Sequence, residues 1–427
     1  MNTRARGGTG KFMQTGSKIL LTTFVLVLVS GQITAALGDD ITRNQAKRIH
    51  DRLTGVPASN SVIDEMEVLL ASDSSGRTAA DRAMENPAFY NVTLKNFVTP
   101  WTNEEETVFA PLNDYTATVI GMIRDDVDFR EILSGDIIYA GNSSTLGISA
   151  YSNSNNNHYE ELEALGPVVG NLASTTVLQG PVQGVTQSSL TGLPIIATAG
   201  VVTTRASAEA FFIDGTNRAM FRFTMKNQLC TDLEPLKDIS RTPDKVRQDI
   251  TRSPGGDSRI FLNNCIGCHA GMDGMAGAYA YYNYDNVAGQ LEYTAGSVQG
   301  KHLINSDNFK PGNIMTDDSW INYWRNGQNG VLASRDGSRG WGHAGEVLDG
   351  KGNAVGNGAK SLGIELANSK AFAQCQVDKV FESVCFRDPN NLSADIAERN
   401  SIVDNFVAGG YRMKQVFGDV AAWCKGS

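Results

Sequence analysis

The chain has 427 residues, 41% of them hydrophobic and 19% charged, a balance that supplies ample apolar material for cores and excludes a disordered or low-complexity chain. Its formal net charge is −9, and removal of the four basic residues Arg4, Arg6, Lys11 and Lys18, which lie in an N-terminal segment without acids, leaves −13. A surface that acidic repels a phosphate backbone, so nucleic acid is excluded as a partner.

Residues 1–18 are basic and Gly-rich, Ile19 to Val29 form a mostly apolar run, and Ala36-Leu37-Gly38 offers small residues for cleavage before Asp39. This is the pattern of a secretory signal peptide over residues 1–38, with an apolar run too short for an ordinary membrane span. The expectation is an exported protein, periplasmic or at the cell surface or extracellular, with no stable membrane span after signal removal.

Residues 39–140 read as a helical N-terminal domain. Ala46, Ile49 and Leu53 share a face of a segment that stops at Gly55; Val62, Ile63, Met66, Leu69 and Leu70 mark a second helix capped by Asn60; Leu112, Tyr115, Val119, Met122 and Ile123 mark a third. These stripes are expected to pack a core, with charges between them on a wet face. Residues 141–157 are rich in Ser, Asn and Gly and lack periodicity, which marks a boundary. Residues 141–240 then read as a linker and a helical segment packing on the last domain. Residues 167–203 look irregular, with a short strand at Ile195–Val202, and a helix from Ser207 to Cys230 is broken near Asp214-Gly215. Pro254-Gly255-Gly256 is strong turn chemistry. Trp320, Tyr323 and Trp324 share one face of a predicted helix capped by Thr316 or Asp317. Residues 325–360 are Gly-rich. Helices are predicted over Leu362–Phe386 and Ala394–Phe406, with a short last one ending near Cys424.

The chemistry sits at Cys265-Ile266-Gly267-Cys268-His269. C-x-x-C-H is the attachment site of a c-type haem: two thiols add across the two vinyl groups, and the next residue is the proximal iron ligand. The expected cofactor is one covalent haem c on Cys265, Cys268 and His269. A thioredoxin-like dithiol would need an alternating strand–helix pattern, and a zinc ribbon a second Cys-x-x-Cys; neither is present. The sixth ligand stays open among Met315, His302 and His343, in that order, with Met225 as an outside choice; each histidine taken singly reads first as an ordinary surface residue. Met272 and Met275 lie too close to His269 to reach the opposite face. Tyr279, Tyr281, Tyr282, Tyr284 and the three aromatics at 320–324 read equally well as haem walls or as plain core. Asp349-Gly-Lys-Gly-Asn353 fails the calcium-loop pattern at Lys351 and Lys360 and reads as a Gly-rich turn. The remaining cysteines, Cys230, Cys375, Cys385 and Cys424, are expected to pair in an oxidising compartment, in any of three connectivities.

Arg222–Cys230 (RFTMKNQLC), Cys265–Asp273 (CIGCHAGMD) and Leu366–Arg387 together resemble bacterial exported haem proteins of the planctomycete-cytochrome type, loosely over most of the mature chain. Gly274 stands where that group has proline, and Cys385-Phe386 where glycine precedes Arg387. The resemblance implies haem binding and electron transfer, and only Cys265, Cys268 and His269 carry over. The expected fold is mainly α: a multi-helical N-terminal region followed by a helical cytochrome c-like haem domain, residues 241–427, with long Gly-rich loops. The expected function is single-electron transfer with a redox protein partner. A haem enzyme with an open sixth position (peroxidase or oxygenase type), or a surface binding protein with a structural haem, are the other readings.

Overall fold

The computed structural model describes residues 40–213, 215–246, 259, 261–302, 313–326 and 341–426. Residues 1–39, where a signal peptide is expected, Pro254-Gly255-Gly256, where a turn is expected, and residues 327–340 of the Gly-rich stretch lie outside the described residues. The fold is mainly α: 57% of the described residues are helical and 6% are in strands. Strands among the described residues form three antiparallel pairs: Ala140–Gly141 with Leu178–Gln179, Tyr282–Asp285 with Gln290–Tyr293, and Ser319–Asn322 with Ala354–Asn357. No helix among the described residues is long and apolar enough to cross a membrane.

The first helix spans 40–54, buries Ala46, Ile49 and Leu53, and ends where Gly55 takes a left-handed φ of +69°. The second is Asn60–Ser72; its cap is Ser59, whose Oγ accepts from Val62 N, so Asn60 is the first helical residue and not the cap. The Asp114–Arg124 helix departs further from expectation, because all eleven of its residues are buried and it has no wet face. Its threonines are not exposed; Thr118 Oγ1 accepts the Tyr139 N–H at 3.1 Å. The Asp114 carboxylate accepts the backbone N–H groups of Arg205 and Ala206 at 2.6 and 3.0 Å. It thereby serves the positive end of the Arg205–Phe211 helix. Tyr139 lies between Gly121 and Gly180, where a Cβ on either would overlap its ring, and its hydroxyl donates to Asp125, the partner of Arg124.

The helix expected over Ser207–Cys230 is broken about Gly215 as read from the sequence, into Arg205–Phe211 and Arg218–Leu229. Residues 141–203 hold short helices and turns, and Ile195–Ala197 is a 3-10 turn instead of the start of a strand. Trp320, Tyr323 and Trp324 are likewise not on a helix: Ser319–Asn322 pairs with Ala354–Asn357, and a 3-10 turn covers Tyr323–Asn326. Asp349–Asn353 is the expected turn, in which Asp349 Oδ1 accepts from the N–H of Lys351 and of Asn353, at 2.9 Å each.

The C-terminal helices are Gly358–Ala367, Lys370–Cys385, Ser393–Ala408 and Met413–Trp423; the first two are separated at Ser369, whose Oγ caps Phe372 N. Met413–Trp423 packs on Arg77–Met84, and Arg77 pairs with Asp419 at 2.8 Å. Among the described residues the main hydrophobic core runs from Ala46 to Cys424, and a small separate cluster joins Val246 and Ala270, with Cys265 and Ile266 packed against it. Two disulfides settle the pairing: Cys230–Cys375 ties the end of Arg218–Leu229 to Lys370–Cys385, and Cys385–Cys424 ties the other end of that helix to the end of the chain.

Gly121→Ala is expected to lower stability by about 3 kcal/mol through overpacking against Tyr139. Urea unfolding followed by far-UV circular dichroism measures it, and an unchanged midpoint would mean that the ring moves aside freely.

Candidate functional site

A helix over Ile266–Ala276 carries the C-x-x-C-H motif, with Cys265 as its N-cap and a wide π-type turn over Phe261–Cys265 leading in. Such turns inside helical segments recur at functional positions. Cys265 and Cys268 fall one helical turn apart, and His269 follows. All three are half-buried, so this turn of the helix meets solvent. Burial pushes the Cys268 thiol above its ordinary pKa, the opposite of the shift that activates a catalytic dithiol.

The other face of the helix is packed closely. A Cβ on Gly271 would overlap the Trp324 indole, and one on Gly274 would stand 2.9 Å from the Ile321 carbonyl oxygen. Gly274 therefore fits a helix lying directly on the Ser319–Asn322 strand. The N-terminal end is held by Asp238, whose N–H donates to Gly267 O at 3.0 Å.

His269 does not stand alone. Its Nδ1 lies 3.2 and 3.3 Å from the two carboxylate oxygens of Asp273, one helical turn on. Those same oxygens take Arg218 Nε and Nη2 at 2.8 and 2.7 Å. The Asp273 side chain is only 4% exposed. Burial pushes its carboxyl up, but the Arg218 guanidinium and the His269 ring outweigh burial and hold it well below the usual carboxylate range. An Nδ1–H donated to this carboxylate leaves Nε2 as the ring's lone-pair atom, the arrangement a metal-ligating histidine needs. Asp273 was visible in the sequence as an i+4 neighbour of His269; Arg218, 55 residues away, carried no signal.

The structure brings Cys265, Cys268 and His269 together and gives the sixth-ligand candidates separate surroundings. Met315 sets its methyl near Gly277, beyond the far end of the motif helix. His302 is buried, with Nε2 3.4 Å from Asn217 Nδ2; that amide also donates to the Tyr279 and Tyr282 carbonyls. His343 Nε2 lies 3.2 Å from Glu365. His343, Glu346 and Glu365 gather as a cation site would, but Arg325 pairs with both carboxylates, taking Glu365 through Nε at 2.7 Å and Nη2 at 2.8 Å. This is an ion-pair cluster closed by its own cation, with Glu365 buried and the other three members half-buried. Met225 is fully buried in the core. His158 Nε2 accepts from Gly141 N at 2.8 Å, which makes it a structural histidine. The tyrosines serve as core: Tyr282 stacks on Phe212 and donates to Ala197 O.

No family model, curated protein or solved structure matches the chain.

Thiol counting tests the cysteine assignment. The denatured, unreduced apoprotein is expected to react with two equivalents of a thiol reagent. Cys268→Ser lowers that to one and Cys230→Ser raises it to three. A count of zero in the unsubstituted protein would mean that the motif thiols are themselves paired.

Proposed function

We propose that this chain is an exported c-type cytochrome that binds one haem through Cys265 and Cys268, ligates its iron through His269, and transfers single electrons to a redox protein partner. One observation carries the reading. Four of the six cysteines are consumed in two disulfides, and the two left as free thiols are those of the C-x-x-C-H turn. That partition fits the group: two thiols a helical turn apart, partly open to solvent, beside an imidazole whose Nδ1 already has a partner.

The haem, when bound, supplies a one-electron couple. The residues divide the remaining work. Cys265 and Cys268 would hold the group through thioether bonds. His269 is oriented by Asp273. Trp324 and the Ser319–Asn322 strand close the opposite face of the motif helix to water. The half-exposed turn supports electron exchange with a docked protein. An acidic surface favours a partner with a basic patch, whose association weakens as salt rises. The two disulfides are in keeping with an oxidising compartment outside the cytoplasm.

The exported protein is expected to show a Soret band that survives acid–acetone extraction, and a reduced spectrum that does not change under carbon monoxide. Cys265→Ala is expected to abolish stable haem loading. Pigment lost on extraction, or normal holoprotein from Cys265→Ala, overturns the covalent reading. A high-spin spectrum that changes with carbon monoxide replaces electron transfer with a haem enzyme.

A further inference from the structure

We infer that Asp273, clamped by Arg218, is a positioning residue that makes His269 an electron-rich ligand and sets the proposed haem at a low reduction potential, selecting strongly reducing one-electron donors as partners. The inference rests on the haem reading.

An i,i+4 His–Asp contact on an open helix surface is a weak, screened pair. This one is different in three respects. The carboxylate is 4% exposed while His269 and Arg218 are 22% and 26% exposed, so the anion is the buried member. It cannot rotate away, because both oxygens are fixed by the forked guanidinium at 2.8 and 2.7 Å. The same two oxygens face His269 Nδ1, so the ring meets the whole carboxylate.

A buried carboxylate accepting the Nδ1–H fixes the tautomer and makes Nε2 more basic. A more basic nitrogen gives more electron density to a bound metal and stabilises the higher oxidation state. Arg218 has a second part in this. Its two N–H groups hold both carboxylate oxygens in place against the ring. A fastener between the Arg218–Leu229 and Ile266–Ala276 helices would use the same ion pair, but it would leave the iron's potential untouched.

The test uses full-length holoprotein, with covalent haem content and midpoint potential measured on the unsubstituted protein, Asp273→Asn and Asp273→Glu. Asp273→Asn keeps the shape and removes the charge. It is expected to retain covalent haem and to raise the ferrous-to-ferric ratio at a given poise about tenfold, a rise of about 59 mV for a one-electron couple. Asp273→Glu, which restores the carboxylate, returns the potential most of the way. A haem-loaded Asp273→Asn with an unmoved potential overturns this inference and leaves the haem reading standing. An unsubstituted protein without covalent haem removes both. If Asp273→Asn does not accumulate, the His269 ring N–H decides in the reduced unsubstituted protein. It is protected from solvent exchange if the carboxylate holds it, and exchanges freely if the inference is wrong.

Discussion

A buried carboxylate and the partly exposed guanidinium that clamps it are the constraint around which the motif region is organised. Removing the guanidinium would leave the Asp273 charge buried and unpaired, which is costly. Arg218 and Asp273 stand on different helices, so this penalty holds the two helices in one relative position. The Arg218–Leu229 helix also ends at Cys230, which is bonded to Cys375. An ion pair at one end and a disulfide at the other make that helix the brace between the motif helix and the Lys370–Cys385 helix. The carboxylate that satisfies Arg218 also faces His269, so the bracing and the ring's orientation share one group.

Close packing on one side of the motif helix complements the openness of the other. Glycines at 271 and 274 bring Trp324 and the Ser319–Asn322 strand up to the helix backbone. The half-exposed cysteines and histidine occupy the remaining turn. A bulky ligand on this helix is therefore restricted to one approach, and the contacts that restrict it are backbone and aromatic surfaces with little freedom to yield.

Much of this was legible in the sequence, and the failures have physical reasons. The stripe of Ala46, Ile49 and Leu53 and the break at Asp214-Gly215 were readable because a helix period and a glycine are local signals. The motif was readable for the same reason. Trp320, Tyr323 and Trp324 misled because their i, i+3, i+4 spacing mimics a helix face, whereas the strand at Ser319–Asn322 exists through pairing with residues some 35 positions later. The Asp114–Arg124 helix looked amphipathic because Asp114 and its threonines are polar. Asp114 is satisfied by a helix N-terminus 91 residues away and Thr118 by the Tyr139 N–H, while the Thr116 hydroxyl is buried without a hydrogen-bond partner. Arg218 was silent for the same reason: its value lies in a partner that only the fold supplies. Cysteine parity was legible, but the choice among three connectivities was not, because it depends on which helices pack.

The Cys230–Cys375 bond spans 145 positions, and the motif lies inside the loop it closes. Cys385–Cys424 closes a second loop of 39. A chain pulled from its two ends would carry tension along the backbone to Cys230, across the sulfur bridge to Cys375, on to Cys385, and across again to Cys424. The segments between the bridged positions, with Cys265, Cys268 and His269 among them, would stay slack. The same covalent short-circuit means that a single cut anywhere between Cys230 and Cys375 leaves one molecule, and the pieces part only when the sulfurs are reduced.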